Sequence, residues 1–128
     1  MFLENSNTSF EALIAKSADY CNKPFKHSVV KVCGDYTLNI HEIDITVHIL
    51  CRDCDGNELN RCDLELEIFN SNNQLVIVIA KLHFPNEPVL WSGSKDIWMD
   101  SKSGKKCNPP LYSSRLENLS NRIKNSIT

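Results

Sequence analysis

The residues with most chemical potential in this chain are cysteines. Cys51-Arg52-Asp53-Cys54-Asp55-Gly56 sets two thiols three positions apart in a stretch that invites a turn, and Cys62 follows eight residues after Cys54. A C-x-x-C at a hairpin tip aims two thiolates at one tetrahedral ion, which is how zinc knuckles hold their metal. A structural zinc site takes four ligands, and the sequence has neither a second C-x-x-C nor an H-x-x-x-H. A fourth ligand would have to come from Cys33, Cys107 or a histidine. Zinc on Cys51, Cys54 and Cys62 is therefore the alternative reading. The simpler one makes Cys51 and Cys62 small core residues that face each other. Redox chemistry is weaker still, because a thioredoxin-like C-x-x-C opens a helix that lowers the thiol pKa, whereas this one ends a strand pattern. Asp53, Asp55, Gly56 and Asn57 echo a calcium loop, but cysteines stand where both anchoring carboxylates belong, and a hairpin turn explains them better.

Acidic groups form the second constellation. Alternation puts Glu42, Asp44, Thr46 and His48 on one face of a hairpin, opposite Asp63, Glu65 and Glu67. General acid–base catalysis wants a concave, partly dry site, and a flat sheet face offers none, so a solvated or partner-docking surface is expected. Val76, Val78, Ala80 and Leu82 fall on that same face and make it apolar along the next strand. A strand apolar on both sides needs a cover. The expected cover is the Trp91 to Met99 segment folding back or a terminal helix, with a second copy of the chain as the other choice. Two tryptophans in a chain of this size first suggest core filling; where exposed, Trp91, Trp98 and Met99, together with Val76, Val78, Glu65 and Glu67, are the expected partner-binding residues, since exposed tryptophans anchor interfaces. Lys95, Lys102, Lys105 and Lys106 lie close by but are offset by Asp96 and Asp100, a thin footprint for nucleic acid.

Signatures of enzymes are missing. There is no glycine-rich phosphate loop, H-E-x-x-H or G-x-S-x-G, and His27, His41, His48 and His83 stand singly. The expected function is a small non-catalytic interaction or assembly module whose partner is another protein or a second copy. A small-ligand domain with a pocket between sheet and helix is the further alternative.

The elements that position these groups follow from periodicity. Phe10, Leu13, Ile14, Ser17 and Cys21 make one helical stripe, Thr8 with Glu11 reads as a capping box, and Pro24 stops the helix. Val29 to Cys33 is β-branched and ends at the Gly34-Asp35 turn signal. Tyr36, Leu38 and Ile40 are even-numbered, whereas Ile43, Ile45, Val47, Ile49 and Cys51 are odd, so a bulge or break is expected near His41. With a turn centred on Gly56-Asn57, Cys51 faces Cys62, Ile49 faces Leu64, Val47 faces Leu66 and Ile45 faces Ile68. Asn70 to Asn73 supplies the next turn, and Leu75, Ile77 and Ile79 continue the apolar face. Residues 42–82 thus form a three-stranded antiparallel meander. Val89 to Trp91 and Ile97 to Met99 flank Ser92 to Lys95 as a short hairpin. Ser114 with Glu117 reads as a second capping box before a helix through Leu116, Leu119, Ile123 and Ile127.

These elements predict one α+β domain over residues 1–128: an antiparallel β-meander sheet of four to six strands flanked by an N-terminal and a C-terminal helix, with 1–7 and 101–108 flexible. A helix followed by a meander resembles cystatin-like folds in architecture, a likeness that transfers no function. The chain has 128 residues, 14 basic against 16 acidic, and a formal net charge of -2, which gives no global field toward nucleic acid or an anionic membrane. The first residues carry no basic start before an apolar run, and no apolar stretch is long enough to span a bilayer. The expectation is a cytoplasmic, soluble protein with reduced thiols and no cofactor beyond the zinc alternative.

Overall fold

The computed structural model describes residues 6–35 and 41–127, with side chains over 10–34 and 41–127. Helix α1 (Ser6–Cys21) is followed by β1 (Lys26–Asp35), β2 (Asp44–Arg52), β3 (Leu64–Ser71), β4 (Gln74–Lys81), β5 (Val89–Ser92), β6 (Asp96–Met99) and helix α2 (Ser113–Ile127). The fold is α+β, as the patterning requires. All six strands form one sheet in sequential order, each antiparallel to its neighbour. The phase change at Tyr36, Leu38 and Ile40 lies outside the described residues, as do residues 1–5. A bulge does occur, but within β1 between Lys31 and Cys33.

Register follows parity. Ile45 pairs with Ile68, Val47 with Leu66 and Ile49 with Leu64, as the turn centre at Gly56-Asn57 demands. The β3–β4 connection is the tightest the chain can make: Ser71 pairs with Gln74, and Asn72 and Asn73 take φ of 56° and 62°. Two consecutive left-handed residues match the twist of a hairpin, and asparagine tolerates that conformation better than other non-glycine residues.

The β2–β3 tip departs from the simple hairpin. Past Ile49 and Leu64 the ladder stops, Arg52 bridges Glu58, and a single 3-10 turn occupies Asn60–Cys62. The tip is organised by Asp53, whose Oδ1 accepts the N–H groups of Asp55 and Asn57 at 2.9 Å each. Those bonds to the ionised form hold the Asp53 carboxyl below its usual range, the Asn57 N–H contributing most.

Both helices pack on the same face. Ile14 and Ala18 of α1 and Leu116, Leu119 and Ile123 of α2 join Ile45, Val47, Ile49, Leu66, Ile68, Ile77, Ile79 and Leu90 in one core. Each fully buried Ile or Leu contributes about 1.5–3 kcal/mol, which fixes the parity of every strand. Trp98 is 2 % exposed in this core, and its indole Nε1–H donates to Glu117 Oε2 at 2.8 Å. Glu117 therefore serves Trp98, and α2 begins one residue before the expected Ser114 cap. Helix α1 likewise begins before Thr8. Several hydrogen bonds fasten residues 101–108 to β6 and to one another. Asp100 accepts the Lys102 and Ser103 N–H groups, Cys107 N–H donates to the Trp98 carbonyl, and Met99 bridges Lys106.

Two substitutions test this packing. Ser120 is fully buried and its hydroxyl has no hydrogen-bond partner among the described residues, so Ser120→Ala is expected to raise stability by about 1 kcal/mol in urea unfolding. Gly34 has φ +85°, and a Cβ there would collide with the Asp44 carbonyl oxygen, while Gly56 at φ +86° faces open space. Gly34→Ala should cost roughly 3 kcal/mol or more and Gly56→Ala only about 1 kcal/mol, read from the same unfolding curves.

Candidate functional site

Because both helices lie on one face of the sheet, the residues of opposite parity form a second face that no helix covers among the described residues. The Trp91 to Met99 segment does not fold back over it, as expected above, but extends the sheet as β5 and β6. A sheet grows by hydrogen bonding in its own plane, so the added strands lengthen the open face instead of shielding it.

The register orders that face in rows. One runs Thr46, Glu67, Val78, Trp91, Ile97 across five strands, and the next runs Val30, His48, Glu65, Ala80 across four. Val89 and Met99 pair beside it. In these two rows, crossing from β3 to β4 therefore means crossing from carboxylates to apolar side chains. On the acidic side Glu67 is exposed, while Glu65 is half-buried and places Oε2 3.0 Å from His48 Nε2. On the apolar side Val78, Trp91, Ile97 and Met99 are half-buried. Phe69 and Trp91 meet edge to face with centroids 5.7 Å apart, and Val76 beneath them is 2 % exposed. Such an edge-to-face pair adds about 0.5–1.5 kcal/mol beyond its burial and fixes the Trp91 ring in place.

The expected partner residues are thus divided. Glu65, Glu67, Val78, Trp91 and Met99 share the open face, whereas Trp98 points the other way into the core and is a structural anchor. Val76 supports the open face from beneath but offers almost no surface. Strand alternation separates Trp91 from Trp98, since β5 and β6 pair Leu90 with Trp98 and Trp91 with Ile97.

The thiols do not converge. Cys51 is buried beside the Cys62 thiol, Cys54 is exposed on the turn, and among the described residues no three His, Cys, Asp or Glu side chains are grouped to hold a metal ion. Burial pushes the Cys51 thiol up to about 12, with Cys62 and Asp63 adding to the effect. Asp63 itself, which alternation puts on the solvated face, is buried because the 3-10 turn ends the ladder before it. Its Oδ1 accepts the Cys51 N–H at 2.8 Å, and its Oδ2 lies 2.9 Å from His83 Nε2. The fold pairs two other histidines with carboxylates, His27 with Asp19 and His48 with Glu65. The partners in these three pairs lie eight to twenty residues apart, so local spacing gave no sign of them. Between sheet and helices, near Cys62 and Tyr112, there is a cavity of about 40 Å³, room for about one water molecule.

A family model matches residues 11–126, from the second turn of α1 to the end of α2. The chain belongs to the family described as Domain of unknown function (DUF8659). No curated protein and no solved structure matches it. The matched stretch takes in most of α1, all six strands and all but the last residue of α2.

Thiol accessibility checks the cysteine geometry. In the native protein Cys54 and Cys33 should react with a chromogenic disulfide reagent within the mixing time, with Cys51 protected until the chain unfolds. Rapid reaction of Cys51 at pH 8 would show that its burial against Cys62 is wrong.

Proposed function

We propose that this domain is a small non-catalytic interaction module that docks another protein through the open face of its sheet. The observation that carries the reading is the placement of both helices on one face, which leaves Val78, Trp91, Ile97 and Met99 as a continuous apolar strip that no helix covers among the described residues. Monomeric proteins seldom leave such strips bare, and tryptophan with methionine is the composition of interface centres. The fixed Trp91 ring adds to this, because a side chain already ordered loses little entropy on binding.

Charge defines the occupant. Asp44, Glu65 and Glu67 border the strip on one side, so the partner surface is apolar with lysine or arginine along one margin. The flatness of the rows favours docking over chemistry, and the cavity between sheet and helices, about 40 Å³, is small for an organic ligand. Six cysteines, all free among the described residues, are compatible with a reducing compartment, and the cytoplasm is the compartment we propose. No helix among the described residues is long and apolar enough to cross a membrane.

The test is selection of peptides from a random displayed library on the immobilised domain. Enriched sequences are expected to combine aromatic or aliphatic residues with Lys or Arg, and to lose binding to Val78→Arg and to the Glu65→Lys/Glu67→Lys double variant. Enrichment that ignores these variants would overturn the reading. Sedimentation of the free domain decides between a foreign partner and a second copy: a dimer abolished by Val78→Arg would assign the strip to self-association.

A further inference from the structure

The helical side of the molecule carries a second surface with the opposite chemistry. Helices α1 and α2 pack antiparallel, Leu13 lying near Ser126 and Cys21 near Asn118, and three adjoining clefts of about 440, 560 and 500 Å³ run along and below their seam. All three include Tyr20, which is 60 % exposed. Around it stand Lys16, Lys23, Lys26 and Arg122. The Arg122 guanidinium lies 3.5 Å from the Tyr20 ring centre and the Lys23 ammonium 5.3 Å from it, so the ring acts as a post that gathers cations.

This charge is not neutralised among the described residues. Among the described residues no carboxylate comes within ion-pair distance of the four cations. Asp19 is the one carboxylate lining the clefts, and its Oδ1 is taken by His27, accepting the backbone N–H at 2.8 Å and facing Nδ1 at 2.9 Å. A chain of net charge -2 thus concentrates four cations, without a carboxylate partner among the described residues, on one seam. The facing wall of α2 supplies Asn118, Asn121 and Asn125 at spacings of three and four, one helical face with its side chains exposed. Each asparagine amide offers a donor and an acceptor together, the complement of a peptide main chain, while lysine and arginine complement carboxylates.

We infer that this seam binds an extended acidic peptide segment of a partner protein. Asn118, Asn121 and Asn125 hold its main chain, and Lys16, Lys23 and Arg122 take its carboxylates. From Asn118 to Ser126 the wall runs about 12 Å, the length of roughly four extended residues. Single-stranded nucleic acid is the lesser fit, because base stacking needs a bare aromatic face and the Tyr20 ring is engaged by two cations. The surface is separate from the open sheet face and stands or falls without it.

Fluorescence anisotropy with a labelled octapeptide of alternating Glu and Asp tests the inference on the whole chain, against a Gln/Asn peptide of the same length and against a dT20 oligonucleotide. Saturable binding of the acidic peptide is expected, weakening with added salt, about tenfold weaker in Lys16→Gln/Lys23→Gln and in Arg122→Gln, and unchanged in Val78→Arg. Both lysines are exposed, so their double variant keeps its fold, and circular dichroism checks Arg122→Gln. Shifts of the Asn118, Asn121 and Asn125 side-chain amides on titration would support the main-chain contacts. The inference is overturned by no saturable binding, by equal affinity for the Gln/Asn peptide, by insensitivity to the charge variants, or by tighter binding of dT20.

Discussion

Everything in this fold depends on the burial of one face of one sheet. Ile45, Val47, Ile49, Leu66, Ile68, Ile77, Ile79 and Leu90 share a parity, and both helices are spent covering them. A slip of one residue in any ladder would carry that strand's apolar set to the other side, at a cost no local interaction could offset. The tight Asn72-Asn73 turn and the Trp98–Glu117 hydrogen bond refine an arrangement that this burial has already chosen. The same economy explains why no helix lies on the opposite face: the described residues form two α-helices, and the core takes both.

Most of that core was readable in the residues, because a period of two is a strong signal when turn residues bound it. Alternation at 45–51, 64–68 and 75–79 gives the meander and its register, and the stripe at Leu116, Leu119 and Ile123 gives α2. The reading fails where a local rule meets a competing tertiary one. Cys62 and Asp63 continue the alternation of β3 on paper, yet the 3-10 turn at Asn60–Cys62 breaks the ladder and Asp63 is drawn inside to satisfy the Cys51 N–H. Glu117 matches a capping box, but the buried indole of Trp98 claims it. In each case a buried polar group needs a partner, and that need outweighs a pattern based on neighbours in sequence.

The candidate site was legible in its parts and not in its arrangement. The mixture of Glu65 and Glu67 with Val76 and Val78 on one face is visible from alternation alone. That Trp91 joins this face and Trp98 leaves it depends on the register of β5 against β4, which a four-residue strand among prolines hardly specifies. The seam around Tyr20 left no trace in the sequence. Its lysines, Arg122 and asparagines come from segments about a hundred residues apart, and only the antiparallel packing of α1 on α2 joins them. The molecule is thus polarised through its thickness, anionic and greasy on the sheet side, cationic and polar on the helix side.

The bulge in β1 and the bridge from Met99 to Lys106 have one further consequence. An open sheet has two raw edges where a foreign strand could zip on by main-chain hydrogen bonds, the commonest route to fibres and to indiscriminate pairing. Here one edge is kinked between Lys31 and Cys33 and carries Lys26 and Lys31, and the other is only four residues long with the chain doubling back against its last residue. Lengthwise growth of the sheet is therefore obstructed at both ends, and recognition is left to side chains, which discriminate between partners as a bare backbone does not.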